Sequence, residues 1–238
     1  MELHIWLLVI TLTCAEGVLV LTQSPGSVST HSGQMVTMRC ARSEGDAGSY
    51  GVFWYKQASV GSAPQWVITH WANGQIDRPT WATDKIVPSR DATDNSYILT
   101  IKNAVDQDQG IYSCSAQKHF GQGTHVHILT KQPLPPLVVL FPPSRDDKSK
   151  GDVTLTCLAS GFYPYTIQAL WSVDGTARTE GVEISITSPE QNGTYTISSY
   201  LRVPASKWES DKQTYTCTVQ HESLSSPLQK SISSTCNY

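Results

Sequence analysis

The stretch Asp108-Gln109-Gly110-Ile111-Tyr112-Ser113-Cys114 constrains this chain most. Side chains alternate along a strand, so Tyr112 and Cys114 share a face. Asp108 falls in the preceding turn, where a carboxylate accepts backbone N–H bonds or pairs with a basic side chain. Phe120-Gly121-Gln122-Gly123-Thr124 follows at once, while Cys40 and Trp54 lie upstream. Much of this pattern recurs later: Cys157 and Trp171 repeat the spacing of Cys40 and Trp54, and Tyr215-Thr216-Cys217 repeats Tyr112-Ser113-Cys114. Around these residues apolar positions alternate with polar ones. Val36, Met38 and Cys40 oppose Thr37 and Arg39, and Tyr97, Leu99 and Ile101 share a face. Val153, Leu155 and Cys157 behave alike, and Tyr195, Ile197, Ser199 and Leu201 oppose Thr196, Ser198 and Tyr200. A period of two with one buried face predicts an all-β chain of two sandwiches. Val126 and Ile128 then point inward, which predicts His125 and His127 on a solvent face.

Composition narrows the classes. A length of 238 residues fits one to two domains. Seven Trp, ten Tyr and thirteen Pro suit short strands and turns better than helices. The formal charge of −3 carries no electrostatic footprint for nucleic acid. Residues 1–17 read as a secretory signal peptide: Ile5 to Ile10 is apolar but too short to cross a bilayer, and Ala15-Glu16-Gly17 offers small residues for cleavage. Its amino-terminal part is atypical, with Glu2 and His4 where basic residues are usual. No later stretch is apolar enough for a span, so a secreted or partner-held product is expected, without membrane insertion of its own.

These motifs resemble an immunoglobulin variable domain followed by a constant domain. Val18-Leu19-Val20-Leu21-Thr22-Gln23-Ser24-Pro25 resembles the first framework of a kappa-type light chain, and Phe120-Gly121-Gln122-Gly123 resembles a light-chain or T-cell-receptor joining segment. Leu137 to Ser144, Gly161-Phe162-Tyr163-Pro164 and Gln220 to Pro227 resemble a kappa-like constant domain. The whole resembles an antibody light chain. Ser113 stands where kappa chains carry an aromatic, an extra residue separates Gln57 from Pro64, and the third loop is short. These departures point away from a typical mammalian kappa. The resemblance implies a signal peptide at 1–17, a variable domain at 18–130, an elbow linker at 131–136, a constant domain at 137–232 and a tail at 233–238.

It also implies roles. Cys40 would pair with Cys114 and Cys157 with Cys217, each bond worth roughly 4 kcal/mol by chain-entropy reasoning. Cys14 leaves with the leader, so Cys236 is odd and would bond a heavy chain. The Tyr163–Pro164 peptide would be cis. Antigen would meet three loops: Glu44, Asp46, Ser49 and Tyr50 in the first, His70, Trp71 and Asn73 in the second, Gln117, Lys118 and His119 in the third. Tyr50 and Trp71 are the expected anchors. Tyr55, Gln57, Pro64, Trp66 and Phe120 would pack on a partner variable domain. Val139, Phe141, Leu158, Ser198 and Tyr200 would pack on a partner constant domain.

The function implied is an antigen-binding subunit that pairs with an immunoglobulin heavy chain, secreted or held at the cell surface through that partner. The alternative is a non-diversified immunoglobulin-like receptor or surrogate light chain. No Gly-x-Ser-x-Gly elbow or metal-ligand spacing suggests an enzyme, a metal site or a cofactor. Asn192-Gly193-Thr194 is a candidate glycosylation sequon.

Overall fold

A computed structural model describes residues 18–234 apart from 83, 145–150, 186 and 211. The expected leader at 1–17 and Cys236 therefore lie outside the described residues. The backbone gathers into two compact units. One takes the chain up to Val28, Met35–Asn103 and Gly110–Thr124; the other takes Ser29–Gln34, Ala104–Gln109 and everything from His125 onward.

The first half is built from eleven strands: β1 (Leu21–Ser24), β2 (Ser27–His31), β3 (Val36–Arg42), β4 (Val52–Gln57), β5 (Gln65–His70), β6 (Ile76–Asp77), β7 (Ile86–Asp91), β8 (Ser96–Ile101), β9 (Gly110–Ala116), β10 (His119–Phe120) and β11 (Thr124–Leu129). One sheet runs β1-β3-β8-β7; the other runs β2-β11-β9-β4-β5-β6, with β10 on β9. The predicted alternation holds. Val36, Met38 and Cys40 are buried on β3, and their partners Ile101, Leu99 and Tyr97 are buried on β8. Cys40 and Cys114 are bonded, and Trp54 is fully buried.

Gln23 ties β1 to the motif around Cys114. Its Nε2 donates to the Tyr112 carbonyl at 2.8 Å, and its Oε1 accepts from Cys114 N at 3.0 Å and Gly123 N at 3.2 Å. Gly121 passes so close that a Cβ would stand 2.4 Å from Gln23 Oε1 and 2.8 Å from Cys114 Sγ. That explains the first glycine of the Phe-Gly-x-Gly run: no side chain fits there.

In the second half, β12 (Leu137–Phe141), β13 (Asp152–Phe162), β18 (Tyr195–Pro204) and β16 (Val182–Ile184) form one sheet, with β17 (Ser188–Pro189) also on β18. β15 (Thr176–Arg178), β14 (Gln168–Val173), β19 (Tyr215–Gln220) and β20 (Leu228–Ile232) form the other, and one short helix, α1 (Ala205–Ser210), follows β18. Cys157 and Cys217 are bonded beside buried Trp171, Leu155, Leu201 and Tyr215. Trp171 Nε1 donates to Ser199 Oγ at 2.9 Å, which satisfies a buried donor. The Tyr163–Pro164 peptide is cis as expected, and so is Ser24–Pro25.

One expectation fails. His127, placed on a solvent face by alternation, is 2% exposed, and His125 is half-buried. Within the second compact unit the Tyr165 ring lies edge-on to His127 at 4.3 Å, and Thr166 Oγ1 hydrogen-bonds its Nε2. The His125 ring lies 6.3 Å from that of His127 and 6.0 Å from that of Tyr165. Strand parity is right, but it fixes only which way a side chain points, not what later covers it. Burial, with His125 and His221 adding to it, pushes the His127 imidazole down to about 4.

Two outcomes follow from these buried polar groups. Gln23→Met keeps the volume but orphans the Cys114 and Gly123 N–H groups, and should lower unfolding free energy by about 1–3 kcal/mol in urea titration. His127 is held neutral in the fold and protonates near its ordinary value when unfolded. Its stabilisation is thus complete above about pH 6.5 and fades as pH falls towards 4. Wild type should lose about 2 kcal/mol between pH 7 and 5 from this residue, and His127→Gln should flatten that slope.

Candidate functional site

The three loops named from sequence sit at the ends of β3, β5 and β9. In the first, Asp46 caps the one-turn segment Ala47–Ser49, accepting from Gly48 N at 2.9 Å and Ser49 Oγ at 3.0 Å. Those bonds hold its carboxyl below the ordinary range. The second is the tight turn between β5 and β6. Trp71 N donates to Gln75 O at 2.8 Å, Asn73 Oδ1 accepts from Gln75 N at 3.0 Å, and Gly74 takes φ +85°. Trp71 stands edge-on to Phe53 at 5.6 Å and donates through Nε1 to Asp77 at 2.5 Å. Hydrogen bonds from Trp71 and Gln75 hold the Asp77 carboxyl low. The third is a hairpin turn: His119 pairs with Ala116, leaving only Gln117 and Lys118 between them, at φ +50° and +70°. Two successive positive φ values favour Asn-Gly in such a turn, so this pair is strained.

Glu44, Asp46, Ser49, Tyr50, Trp71, Asn73, Gln117, Lys118 and His119 are all exposed. His70 differs. It is half-buried, its Nδ1 is buried without a partner among the described residues, and burial, with Arg90 second, holds its imidazole low.

What joins the loops was not read from sequence. Arg42, 7% exposed, donates to Glu44 O at 3.0 Å, Tyr97 Oη at 3.1 Å and Gln117 Oε1 at 2.9 Å, with its guanidinium 4.6 Å over the Tyr50 ring. Arg90 donates to the carbonyls of Tyr50 at 2.9 Å, His70 at 2.8 Å and Trp71 at 3.0 Å. Asn95 donates to Gly45 O at 2.7 Å and accepts from Ala47 N at 2.7 Å. A signal existed. Arg42 continues the inward row Val36, Met38, Cys40, and Arg90 continues Ile86 and Pro88. A charge at an inward strand position needs partners, and here they are loop carbonyls.

Each half also carries an apolar surface of its own. On the first half Phe120 is 64% exposed and Trp66 37%, with the Tyr55 ring 6.1 Å from Phe120. Gln57 Nε2 donates to Ser62 O at 2.7 Å, which shapes the turn leading to exposed Pro64. On the second half the register aligns Val139 with Leu158 and Ser198 in one row, and Phe141 with Thr156 and Tyr200 in the next. Val139, Phe141 and Tyr200 are exposed, while Leu158 and Ser198 are half-buried. Exposed aromatic patches of this kind mark interaction surfaces.

Residues 23–129 match the immunoglobulin V-set domain, and residues 138–224 match the immunoglobulin C1-set domain. A viral T-cell receptor beta chain-like protein of feline leukemia virus is 30% identical over 225 residues, covering 86% of this chain and 67% of its own length. The chain belongs to the immunoglobulin superfamily. The constant region of the rabbit (Oryctolagus cuniculus) Ig kappa-b4 chain is 42% identical over 99 residues, covering 41% of this chain and 92% of that relative. In this V-set domain the loops are therefore held by arginines rooted in both its framework and its core. Replacing Lys118, at φ +70°, as Lys118→Gly relieves the left-handed strain while leaving the Gln117–Arg42 bond in place, and should raise the urea midpoint, by about 1 kcal/mol in unfolding free energy.

Proposed function

We propose that this chain is a light-chain-like, antigen-binding subunit of an immunoglobulin and acts by binding rather than catalysis. The observation that carries the reading is the 42% identity to a kappa constant region over nearly all of that relative. The exposed rows through Val139–Leu158–Ser198 and Phe141–Thr156–Tyr200 support it, because a sheet face bearing Phe and Tyr gains most when a second sheet covers it. Trp66, Phe120 and Tyr55 offer a V-set partner the same kind of surface. The loops would then add to a paratope shared with a heavy chain, with Tyr50 and Trp71 as rigid amphipathic anchors. Cys236 would make that partnership covalent in an oxidising extracellular compartment.

The T-cell receptor beta-like relative supports a second reading, in which the partner is another antigen-receptor chain rather than a heavy chain. Among the described residues no helix is long and apolar enough to cross a membrane, which does not separate the two.

Co-expression with an immunoglobulin heavy chain tests the proposal. A larger species on a non-reducing gel should collapse on reduction and be absent with Cys236→Ser. Phe120→Asp should cut recovery of the pair at least several-fold while leaving both intradomain disulfides formed. A chain that ignores heavy chains but pairs with a T-cell-receptor alpha chain would favour the second reading.

A further inference from the structure

The turn between β17 and β18 holds a group of atoms that the binding surfaces do not use. Glu190 N donates to Thr194 O at 2.7 Å and Gly193 N to Glu190 O at 3.1 Å, closing a tight hairpin whose tip is Asn192-Gly193. Gly193 takes φ +72°, which the turn requires. Asn192 is exposed, whereas Thr194 is 4% exposed. The Asn192 carboxamide is engaged through its oxygen alone: Oδ1 accepts from Thr194 N at 3.0 Å and lies 2.5 Å from the Thr194 hydroxyl. That hydroxyl also lies 2.5 Å from Glu190 Oε2. Among the described residues, Nδ2 of Asn192 makes no hydrogen bond. Lys131 Nζ reaches the same tip from the linker, donating to Gly193 O at 2.9 Å.

We propose that Asn192 is an N-glycosylation site, carrying a glycan on the Nδ2 that its own turn leaves without a hydrogen bond among the described residues. The Asn-Gly-Thr triplet is the acceptor sequence for a transferase in the secretory pathway. A hydroxyl against the carboxamide oxygen orients the acceptor nitrogen outward. Nδ2 attacks C1 of the reducing-end sugar of a lipid-linked pyrophosphate oligosaccharide. The N–C1 bond forms, the C1–O bond to pyrophosphate breaks, and the lipid pyrophosphate leaves with the electron pair. The amide proton passes to the transferase or solvent, and nothing is oxidised or reduced.

The placement suits the rest of the domain. β16 and β17 form the open edge of their sheet, with Ile184 53% exposed on β16. A sugar at the hairpin tip covers an edge that would otherwise invite another strand. Ser198 lies four residues beyond Thr194 on β18, roughly 13 Å along the strand, so the Val139–Leu158–Ser198 row stays open.

The inference rests on the extracellular reading, so the test makes entry to the secretory pathway independent of residues 1–17. The chain is secreted from animal cells behind a heterologous leader, and mass spectrometry checks both intradomain disulfides. Wild type should lose mass on treatment with peptide N-glycosidase, with Asn192 converted to Asp. Thr194→Ser should retain the modification; Thr194→Ala and Asn192→Gln should each abolish it. Oxidised, secreted wild-type protein with unmodified Asn192 overturns the proposal and leaves the binding role untouched. Equally, a glycosylated chain that fails to pair with a heavy chain would sink the light-chain reading and leave this one standing.

Discussion

Each half of this chain depends on a covalent bond between two sheets pressed against a buried tryptophan. Cys40–Cys114 lies beside Trp54, and Cys157–Cys217 lies beside Trp171. A sandwich keeps its sheets about 10 Å apart, and only large side chains meeting from both inner faces fill that gap. Once these residues fix the separation, the inward rows on β3, β8, β13 and β18 have a common plane to bury against.

The two halves solve the same packing problem with different polar chemistry. Trp171 finds Ser199 for its indole N–H, while the Trp54 indole is buried with no partner among the described residues. The first half compensates elsewhere. Gln23 satisfies backbone groups on either side of Cys114, and Gly121 gives up its side chain to let that amide sit there. The first glycine of the Phe-Gly-x-Gly run is thus a packing requirement of the disulfide and of Gln23.

The fold was legible because its signals are local and periodic. Alternation on β3 and β8, the Cys–Trp spacing and the Tyr-x-Cys repeat need no knowledge of distant residues. The loops were legible as loops, and their exposure followed. What sequence did not reveal were partnerships across long separations: Arg42 with Gln117, Arg90 with Tyr50, Gln23 with Tyr112. His127 failed for the same reason, since Tyr165 and Thr166 cover it from a distant part of the sequence. Inward-facing arginines could have flagged the loop contacts. Nothing in the period of β11 could have flagged the cover on His127.

The arginine contacts carry a consequence for variation. Arg90 grips three main-chain oxygens, and Arg42 grips one at Glu44. Every residue type supplies such an oxygen. Substitutions at Glu44, Tyr50, His70 or Trp71 change the chemistry at the loop surface without removing those acceptors. Gln117 and Tyr50 are exceptions, because Arg42 also holds the amide oxygen of the one and stacks over the ring of the other. The framework is therefore indifferent to much of the side-chain chemistry carried on it, and substitutions can accumulate in the first two loops while their shape persists.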